Sequence, residues 1–229
     1  MTVTIPEGYT VMQTLRLLAE KGVNTEENLV EAAKTADFGY EYISSSEDVS
    51  RLEGFLFPDT YEFYVNEKAS SAIKRLIDNF DRKLDDELLE AAQAKGYSLK
   101  EIVTIASLIE KETDGTDQRK IASVIYNRLK NPTAETVGLL QIDATLAYIN
   151  GGKIPTEADK SIDSPYNTYK YKGLPPAPIS NPGLDSIKAA MSPANESYFY
   201  YALGDDGVHH YFKTYSSLSA FLATQKLYQ

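Results

Sequence analysis

The sequence predicts an α+β fold in two unequal parts. Several segments carry apolar residues at helical spacing and begin at capping residues, whereas the strand-like segments are short and lie toward the two ends of the chain. With 229 residues, of which 42% are hydrophobic, the chain is long enough to bury a full core. Helices combined with a few short strands indicate the α+β class.

The first elements form a small unit of one strand and two helices. Residues 2–5 are strand-like, and a helix is expected from about Thr10, with apolar residues at helical spacing until Gly22 stops it. Thr25 is a suitable N-cap for the second helix because acidic residues follow it in the first turn.

The next segments alternate between aromatic and amphipathic patterns. Residues Leu52–Tyr64 are rich in aromatic side chains and are expected to form a strand, in which Pro58 forces a bend or an edge. From Ala69 an amphipathic pattern continues toward Ala94 and stops near Gly96, as one helix or two.

A strongly apolar helix ends in two acids, where an ionised carboxylate is costly. The segment Ser98–Glu101 has the form of a capping box and starts the helix. At about 100° per residue, Glu110 and Glu112 lie on opposite flanks of the apolar stripe and diverge by roughly 160°. They therefore cannot face each other across one substrate. The alternative is that both are boundary carboxylates paired with nearby Lys or Arg.

Two further acids are expected to begin helices. Asp117 can cap the next helix, and Asp143 can cap a short one that Gly151 and Gly152 terminate. The stretch Lys153–Pro182 holds six of the ten prolines and is expected to be an ordered, irregular loop.

The C-terminal part is expected to form a hairpin and a closing helix. Residues Tyr198–Phe212 contain two strand-like runs joined by the turn Gly204–Gly207, and the helix follows from about Ser217. His209 and His210 are neighbours on one strand and point to opposite faces, so they are not expected to hold one metal ion together.

The composition excludes several function classes. A formal net charge of -10 and no long basic run oppose binding to nucleic acids or to anionic lipid surfaces. The absence of cysteine and the presence of only two histidines argue against disulfides, thiolate chemistry and a zinc site. We expect no metal and no cofactor. Seventeen tyrosines would suit sugar recognition, and core packing explains them equally well.

Several blocks along the chain, taken in order, resemble the YceG-like (MltG) family of endolytic murein transglycosylases. Their order and spacing make the resemblance more specific than any single motif. The blocks are Leu52–Tyr61, Ser107–Glu112, Ile121–Leu129, Leu140–Thr145, Ser164–Tyr169 and Gly173–Gly183.

The resemblance implies a bacterial enzyme at the extracytoplasmic face of the cell membrane. It implies a LysM-like subdomain over residues 1–50, which strand residues 51–65 can complete, and a mixed α/β catalytic domain over residues 51–229. Peptidoglycan glycan strands and cell-wall synthesis proteins are the expected partners. A single-pass membrane anchor is expected outside these residues, because no stretch of roughly 18 apolar residues occurs in them.

The resemblance also implies the catalytic residue. In that family the first glutamate of the E-K-E motif is the acid/base, and Glu110 matches it. It would protonate the oxygen of the MurNAc–GlcNAc β-1,4 bond and then accept the proton of the C6 hydroxyl, leaving a 1,6-anhydro-MurNAc end. The expected substrate-binding residues are Gln141, Asp143, Tyr166, Asn167 and Tyr169. Plain alternatives stay open, because loop amides can bond to nearby backbone, Asp143 can serve as a helix cap and Tyr169 can simply pin the loop. The chain departs from the family pattern at Ile142, Ala144 and Ala177.

Three other functions compete with this one. A non-catalytic wall-binding module would grip N-acetyl sugars without cutting them. An ordinary muramidase would use water and usually needs two facing carboxylates. A pyridoxal-phosphate lyase would need a phosphate cradle beside a reactive lysine, and no segment resembles one.

Overall fold

The computed structural model describes residues 1–84, 90, 96–113 and 115–228. Packing divides the chain into two compact units, one formed by Met1–Lys111 with Ala177–Met191 and one by Glu112–Pro176 with Ser192–Gln229. Helices and two small antiparallel sheets confirm the predicted α+β class. The LysM-like part over residues 1–50 and the catalytic domain over residues 51–229 stay predictions.

The described elements follow one another in the order strand, helices, strand, helices, hairpin and helix. They are β1 (Thr2–Thr4), α1 (Val11–Glu20), α2 (Glu26–Thr35), β2 (Thr60–Glu62), α3 (Ala69–Lys83), α4 (Leu99–Glu112), α5 (Gln118–Lys130), α6 (Asp143–Ile149), α7 (Leu184–Met191), β3 (Tyr200–Leu203), β4 (His209–Phe212) and α8 (Tyr215–Leu222). None of the helices in the described part of the chain is long and apolar enough to cross a bilayer.

In the first unit, β1 and β2 pair antiparallel with Val3 opposite Tyr61, and α1, α2 and α3 share their core. The hydroxyls of Thr10 and Thr25 cap α1 and α2, which confirms both predicted helix starts. Gly22 follows α1 with φ +80°, a conformation that favours glycine and ends the helix.

The aromatic segment before β2 differs from the predicted long strand. Only Thr60–Glu62 is strand, and Val49–Leu52 forms a short 3₁₀ helix. The side-chain oxygen of Asn181 accepts hydrogen bonds from the backbone N–H groups of Gly54 at 3.0 Å and Leu56 at 2.9 Å. A side chain thus satisfies donors that a strand would have given to a neighbouring strand.

Helix α3 begins at Ala69, as the amphipathic pattern predicted, and the helix ends at Lys83. The predicted continuation through Leu88 and Ala94 lies outside the described residues.

Helix α4 begins at the predicted capping box. The Ser98 hydroxyl accepts the N–H of Glu101 at 3.3 Å, and the Glu101 carboxylate accepts the N–H of Ser98 at 2.8 Å. Burial extends around the whole helix and beyond the apolar stripe, because every residue from Ile102 to Ile109 is buried, including Ser107. Ser107 satisfies its hydroxyl internally, by donating to Thr104 O and accepting the N–H of Ile179.

The second unit contains α5, α6, the β3–β4 hairpin and α8. Asp117 stands at the expected N-cap position of α5, but its side chain makes no capping hydrogen bond. The expected cap at Asp143 is wrong, because Ile142 is the N-cap and Asp143 is the first residue of α6. Their carboxylates accept side-chain hydroxyls instead, from Tyr211 and Tyr169 respectively.

The hairpin is confirmed, with Tyr201 opposite Tyr211 and Leu203 opposite His209. Thr214 caps α8, which begins at Tyr215, two residues before the expected start at Ser217.

The proline-rich stretch is irregular, as predicted, and contains one short 3₁₀ helix, Glu157–Ser161. Helix α7 in the first unit was not predicted. It spans only eight residues, so its apolar periodicity extends over about two turns, too few to distinguish it from a loop.

Candidate active site

The second unit contains an open pocket of about 320 Å³ at the end of α4. Its lining includes two carboxylates, an amide, a guanidinium and two phenols, together with aliphatic side chains. The polar lining residues include Glu112, Arg128, Gln141, Asp143, Tyr169 and Tyr201, and the aliphatic ones include Leu203, Leu218 and Leu222.

Glu112 is the last residue of α4, and its carboxyl group is enclosed by protein while the residue keeps partial exposure through the pocket. The Tyr201 hydroxyl donates to its Oε2 at 2.6 Å. The pKa of Glu112 is raised to about 7, chiefly because burial disfavours the charged form. The Asp143 carboxylate adds to this rise, whereas the hydrogen bond from Tyr201 opposes it. A carboxyl group with this pKa can release and take up a proton near neutral pH.

Asp143 and Tyr169 form a hydrogen-bonded pair in the same pocket. The Tyr169 hydroxyl donates to Asp143 Oδ1 at 2.5 Å, and Asp143 itself is exposed. Burial and the Asp143 carboxylate raise the pKa of Tyr169, so its phenol stays protonated and remains a donor. Lys160 lies over the Tyr169 ring, 4.9 Å from its centroid.

Gln141 stands at the pocket in the left-handed backbone region, with φ +54°. Such a conformation is strained for a residue with a side chain, and strained residues concentrate at functional sites. Its N–H donates to Thr168 O at 3.1 Å, and the next N–H, of Ile142, donates to the Thr168 hydroxyl at 2.9 Å.

Arg128 is a buried cation behind Gln141, with 7% of its surface exposed. Its guanidinium donates to Phe199 O at 2.6 Å, to Leu140 O at 2.5 Å and to Gln141 Oε1 at 3.3 Å. The positive charge of Arg128 also acts on the Glu112 carboxyl group, whose pKa it lowers slightly against the larger effect of burial.

A second hydrogen-bonded group supports the hairpin wall of the pocket. Asp117 Oδ2 lies 3.0 Å from His209 Nδ1 and accepts the Tyr211 hydroxyl at 2.5 Å. The His209 ring packs edge-on against Tyr201, with centroids 5.6 Å apart. His210 bonds to Asp206 instead, consistent with the predicted opposite faces of the two histidines.

Two of the expected substrate-binding residues lie in the loop behind the pocket. Asn167 is fully buried, and its amide nitrogen donates to the carbonyls of Lys160 at 3.0 Å and Ile162 at 2.8 Å. The Tyr166 ring packs against Tyr148, with centroids 5.1 Å apart. Neither residue is among those lining the pocket, and their substrate-binding role stays a prediction.

Glu110 belongs to the first unit. Its Oε2 accepts the N–H of Gly183, just before α7, at 3.0 Å. Burial raises the pKa of the neighbouring Glu7, and the carboxylates of Glu110 and Asp185 raise it further. A carboxylate beside the first turn of a helix is a common stabilising arrangement. The catalytic role of Glu110 stays a prediction.

Sequence reasoning named Gln141, Asp143 and Tyr169 among the candidates for substrate binding, and the structure brings all three to one pocket with Glu112. It missed Tyr201, which is one of seventeen tyrosines and lies 89 residues from its partner Glu112. No local signal separates it from a packing tyrosine.

Comparisons with known proteins identify relatives of this chain. The profile of the YceG-like family matches residues 1–222. Curated relatives include the endolytic murein transglycosylases of Streptococcus pneumoniae serotype 2 (strain D39 / NCTC 7466), 33% identical over 87% of this chain, and of Bacillus subtilis (strain 168), 40% identical over 68% of this chain. The chain spans 40% and 43% of the lengths of these two relatives.

A solved structure is also similar. The crystal structure of a YceG-like protein from Listeria monocytogenes superposes on this chain with a TM-score of 0.82 and is 29% identical in sequence. The matched region covers 96% of this chain and 75% of the Listeria chain. Because the family profile matches nearly the whole sequence, the chain belongs to the YceG-like family.

Proposed function

We propose that this chain is an endolytic murein transglycosylase that cleaves the MurNAc–GlcNAc β-1,4 bond of nascent glycan strands and leaves 1,6-anhydro-MurNAc ends. The observation that carries the proposal is the Glu112 carboxyl group, whose pKa is about 7 in an open, polar pocket. The names of the curated relatives support the same activity.

We assign the acid/base role to Glu112 in preference to Glu110. Glu112 lines the pocket together with Gln141, Asp143 and Tyr169, and its raised pKa keeps a large protonated fraction at neutral pH. Glu110 is not among the residues that line this pocket, and its Oε2 accepts the backbone N–H of Gly183 at 3.0 Å. Glu110 remains the rival candidate, and substitution of each glutamate in turn compares the two.

The reaction then needs one carboxyl group and no water. Protonated Glu112 donates its proton to the glycosidic oxygen as the bond from C1 to that oxygen breaks. The C6 hydroxyl of the same MurNAc attacks C1, and its proton passes to the Glu112 carboxylate, which restores the starting state. The Tyr201 hydroxyl at 2.6 Å stabilises the carboxylate between the two steps.

The remaining pocket groups would hold the sugar. Tyr169 offers an aromatic face, and Asp143, which accepts the Tyr169 hydroxyl at 2.5 Å, fixes its orientation. Gln141 offers an amide to the substrate. Asn167 acts through the loop that carries Tyr169, because its side-chain oxygen accepts the N–H of Tyr169 at 3.0 Å. Tyr166, in the same loop, packs against Tyr148 and would support the loop from there.

A muramidase is the second candidate function, and one observation favours it. Asp143 is a second carboxylate in the pocket, close enough to raise the pKa of Glu112. A hydrolase could use such a residue to activate water or to form a glycosyl intermediate. Its products would be heavier than anhydro products by one water.

The test is the mass of the fragments released from uncrosslinked glycan strands by the unaltered chain, Glu112→Gln and Glu110→Gln. We expect anhydro fragments from the unaltered chain, a loss of at least ~10³-fold in Glu112→Gln, and less than ~10-fold loss in Glu110→Gln. Thermal melting of each variant checks that the fold is kept.

Three other outcomes of this experiment would each replace part of the proposal. Hydrated fragments would replace the transglycosylase by a muramidase. Binding of strands without any fragments would favour the wall-binding module. Loss in Glu110→Gln with near-normal turnover in Glu112→Gln would return the catalytic role to Glu110.

We also propose that the chain acts at the extracytoplasmic face of the cell membrane, alongside cell-wall synthesis proteins and held by an anchor outside these residues. The substrate supports this location, because nascent glycan strands are assembled there. Fractionation of cells that carry the tagged full-length protein, with protease applied from outside, would test it.

A further inference from the structure

Gln141 is held rigidly for a residue at the edge of an open pocket. Its left-handed φ of +54° is secured by the backbone N–H groups of Gln141 and Ile142, which bond to Thr168. Such a conformation is strained for a residue with a side chain and persists where surrounding contacts impose it. The strained turn is therefore maintained by its neighbours.

Arg128 determines which end of the Gln141 amide faces the pocket. The guanidinium carries only donors, so its contact at 3.3 Å must be with the amide oxygen of Gln141. Arg128 cannot turn away easily, because it is 7% exposed and its other donors bond to the carbonyls of Phe199 and Leu140. The Tyr200 ring packs against it as well, 5.0 Å from the guanidinium carbon to the ring centroid.

We propose that Arg128 is a positioning residue that fixes the Gln141 side chain with its amide nitrogen as a hydrogen-bond donor toward the substrate, and that this donor binds the acetamido carbonyl oxygen of the bound sugar. The proposal rests on the proposed function, because the ligand is an N-acetylated glycan.

The chemistry of the donor selects this ligand group. A sugar hydroxyl can donate as well as accept, so it would accommodate either end of the amide. An acetamido carbonyl only accepts, and it needs a donor in a fixed place. A site that hydrogen-bonds one substrate group discriminates strongly against analogues that lack it.

Two substitutions of Gln141 separate a donor role from a structural one. In Gln141→Glu the carboxylate can still accept from Arg128, so melting temperature should be kept or raised. The second carboxylate oxygen would then replace the N–H donor and repel the acetamido carbonyl. We therefore expect kcat/KM of Gln141→Glu to be at least ~10-fold below that of Gln141→Met, whose side chain carries neither a charge nor a donor. Gln118→Glu, the same change at the first residue of α5 and outside the pocket, is the matched control and should keep activity.

The ligand group is tested with two competitors. Chitin oligomers and their N-deacetylated counterparts are measured as inhibitors of glycan cleavage. The preference for the N-acetylated oligomer should fall at least ~10-fold in Gln141→Met, a substitution that does not change the net charge of the protein. A preference that is unchanged in Gln141→Met would refute the acetamido contact.

Arg128 is tested through its coupling to Gln141. Arg128→Lys keeps the positive charge but loses the planar guanidinium with its several N–H donors. It should therefore lower the preference for the N-acetylated oligomer about as much as Gln141→Met does. If Arg128 acts through Gln141, the double variant should lose no more than Gln141→Met alone. Additive losses would mean that Arg128 only supports the fold, and the positioning role would then be rejected.

The failure of this inference is distinct from failure of the proposed function. If the unaltered chain releases no fragments, the proposed function is wrong. If it cleaves strands in a Glu112-dependent way and Gln141→Glu retains near-normal kcat/KM, the activity stands and the donor proposal is wrong. Should Arg128→Lys fail to fold, the two Gln141 substitutions still decide the question.

Discussion

At the scale of single residues, the two glutamates of the E-K-E motif differ in their partners. Glu112 accepts a phenol hydroxyl at 2.6 Å in the pocket, whereas Glu110 accepts the backbone N–H of Gly183 at 3.0 Å. A motif match does not distinguish them, because both are acids at the end of the same apolar helix. The difference lies in what is packed around each carboxyl group, and desolvation of Glu112 is the largest cause of its raised pKa.

The raised pKa predicts the pH dependence of cleavage. Glu112 must be protonated for the first step, so kcat/KM should fall as pH rises above about 7. In Tyr201→Phe the carboxylate loses the hydrogen bond that lowers its pKa, and the fall should move upward by about one pH unit. The measurement is kcat/KM on soluble glycan from about pH 5 to about pH 9, a range that spans the pKa of Glu112.

The control for that experiment is Tyr215→Phe, a neighbouring tyrosine that does not line the pocket. Its profile should match that of the unaltered chain. A profile that stays flat through pH 7 in the unaltered chain would contradict the assignment of Glu112.

At the scale of elements, caps and glycines explain where the helices of the first unit start and stop. Thr10, Thr25 and Ser98 each cap a helix through a side-chain oxygen, and all three were recognisable in the sequence. Elements whose conformation depends on partners far along the chain were not recognisable in the sequence. The segment at Gly54 is irregular because Asn181, 127 residues away, takes its N–H.

Gly54→Ala is predicted to be severely destabilising. The residue has φ +91°, and a methyl group there would lie 2.6 Å from a Val103 methyl and 2.7 Å from the Pro178 ring. Strain and overpacking together should lower the free energy of unfolding by about 3 kcal/mol or more. Urea unfolding followed by circular dichroism measures it.

Gly22→Ala is the matched control. Gly22 has a similar φ of +80°, but an added methyl group would meet nothing within 4 Å. Its cost should be about 1 kcal/mol, from backbone strain alone. Equal costs in both variants would show that packing against Val103 and Pro178 contributes nothing.

At the scale of the whole molecule, the site lowers stability near neutral pH. The pKa of Glu112 is about 7 in the folded protein, against 4.5 for an ordinary exposed glutamate, so the folded state binds more protons between these values. The stabilisation from protonated Glu112 is complete below pH 4.5 and is lost as pH rises through about 7.

Glu112→Gln should remove this loss, because glutamine resembles the protonated acid and does not ionise. The free energy of unfolding of the variant relative to the unaltered chain should increase by about 2–3 kcal/mol between pH 4.5 and pH 8. Chemical denaturation at a series of pH values measures the difference. A difference that is constant with pH would show that Glu112 is not desolvated in the folded protein.

The sequence by itself determined the starts of α1, α2 and α4, the hairpin, the α+β class and the family. Caps, turns and periodicity are properties of neighbouring residues, and ordered motifs are specific. It also indicated Gln141, Asp143 and Tyr169, which follow each other in recognisable blocks. Tertiary structure alone decided which glutamate lines the pocket. Helical periodicity gives the angle between Glu110 and Glu112, but the protonation of each depends on burial and on partners such as Tyr201, which only folding brings to it.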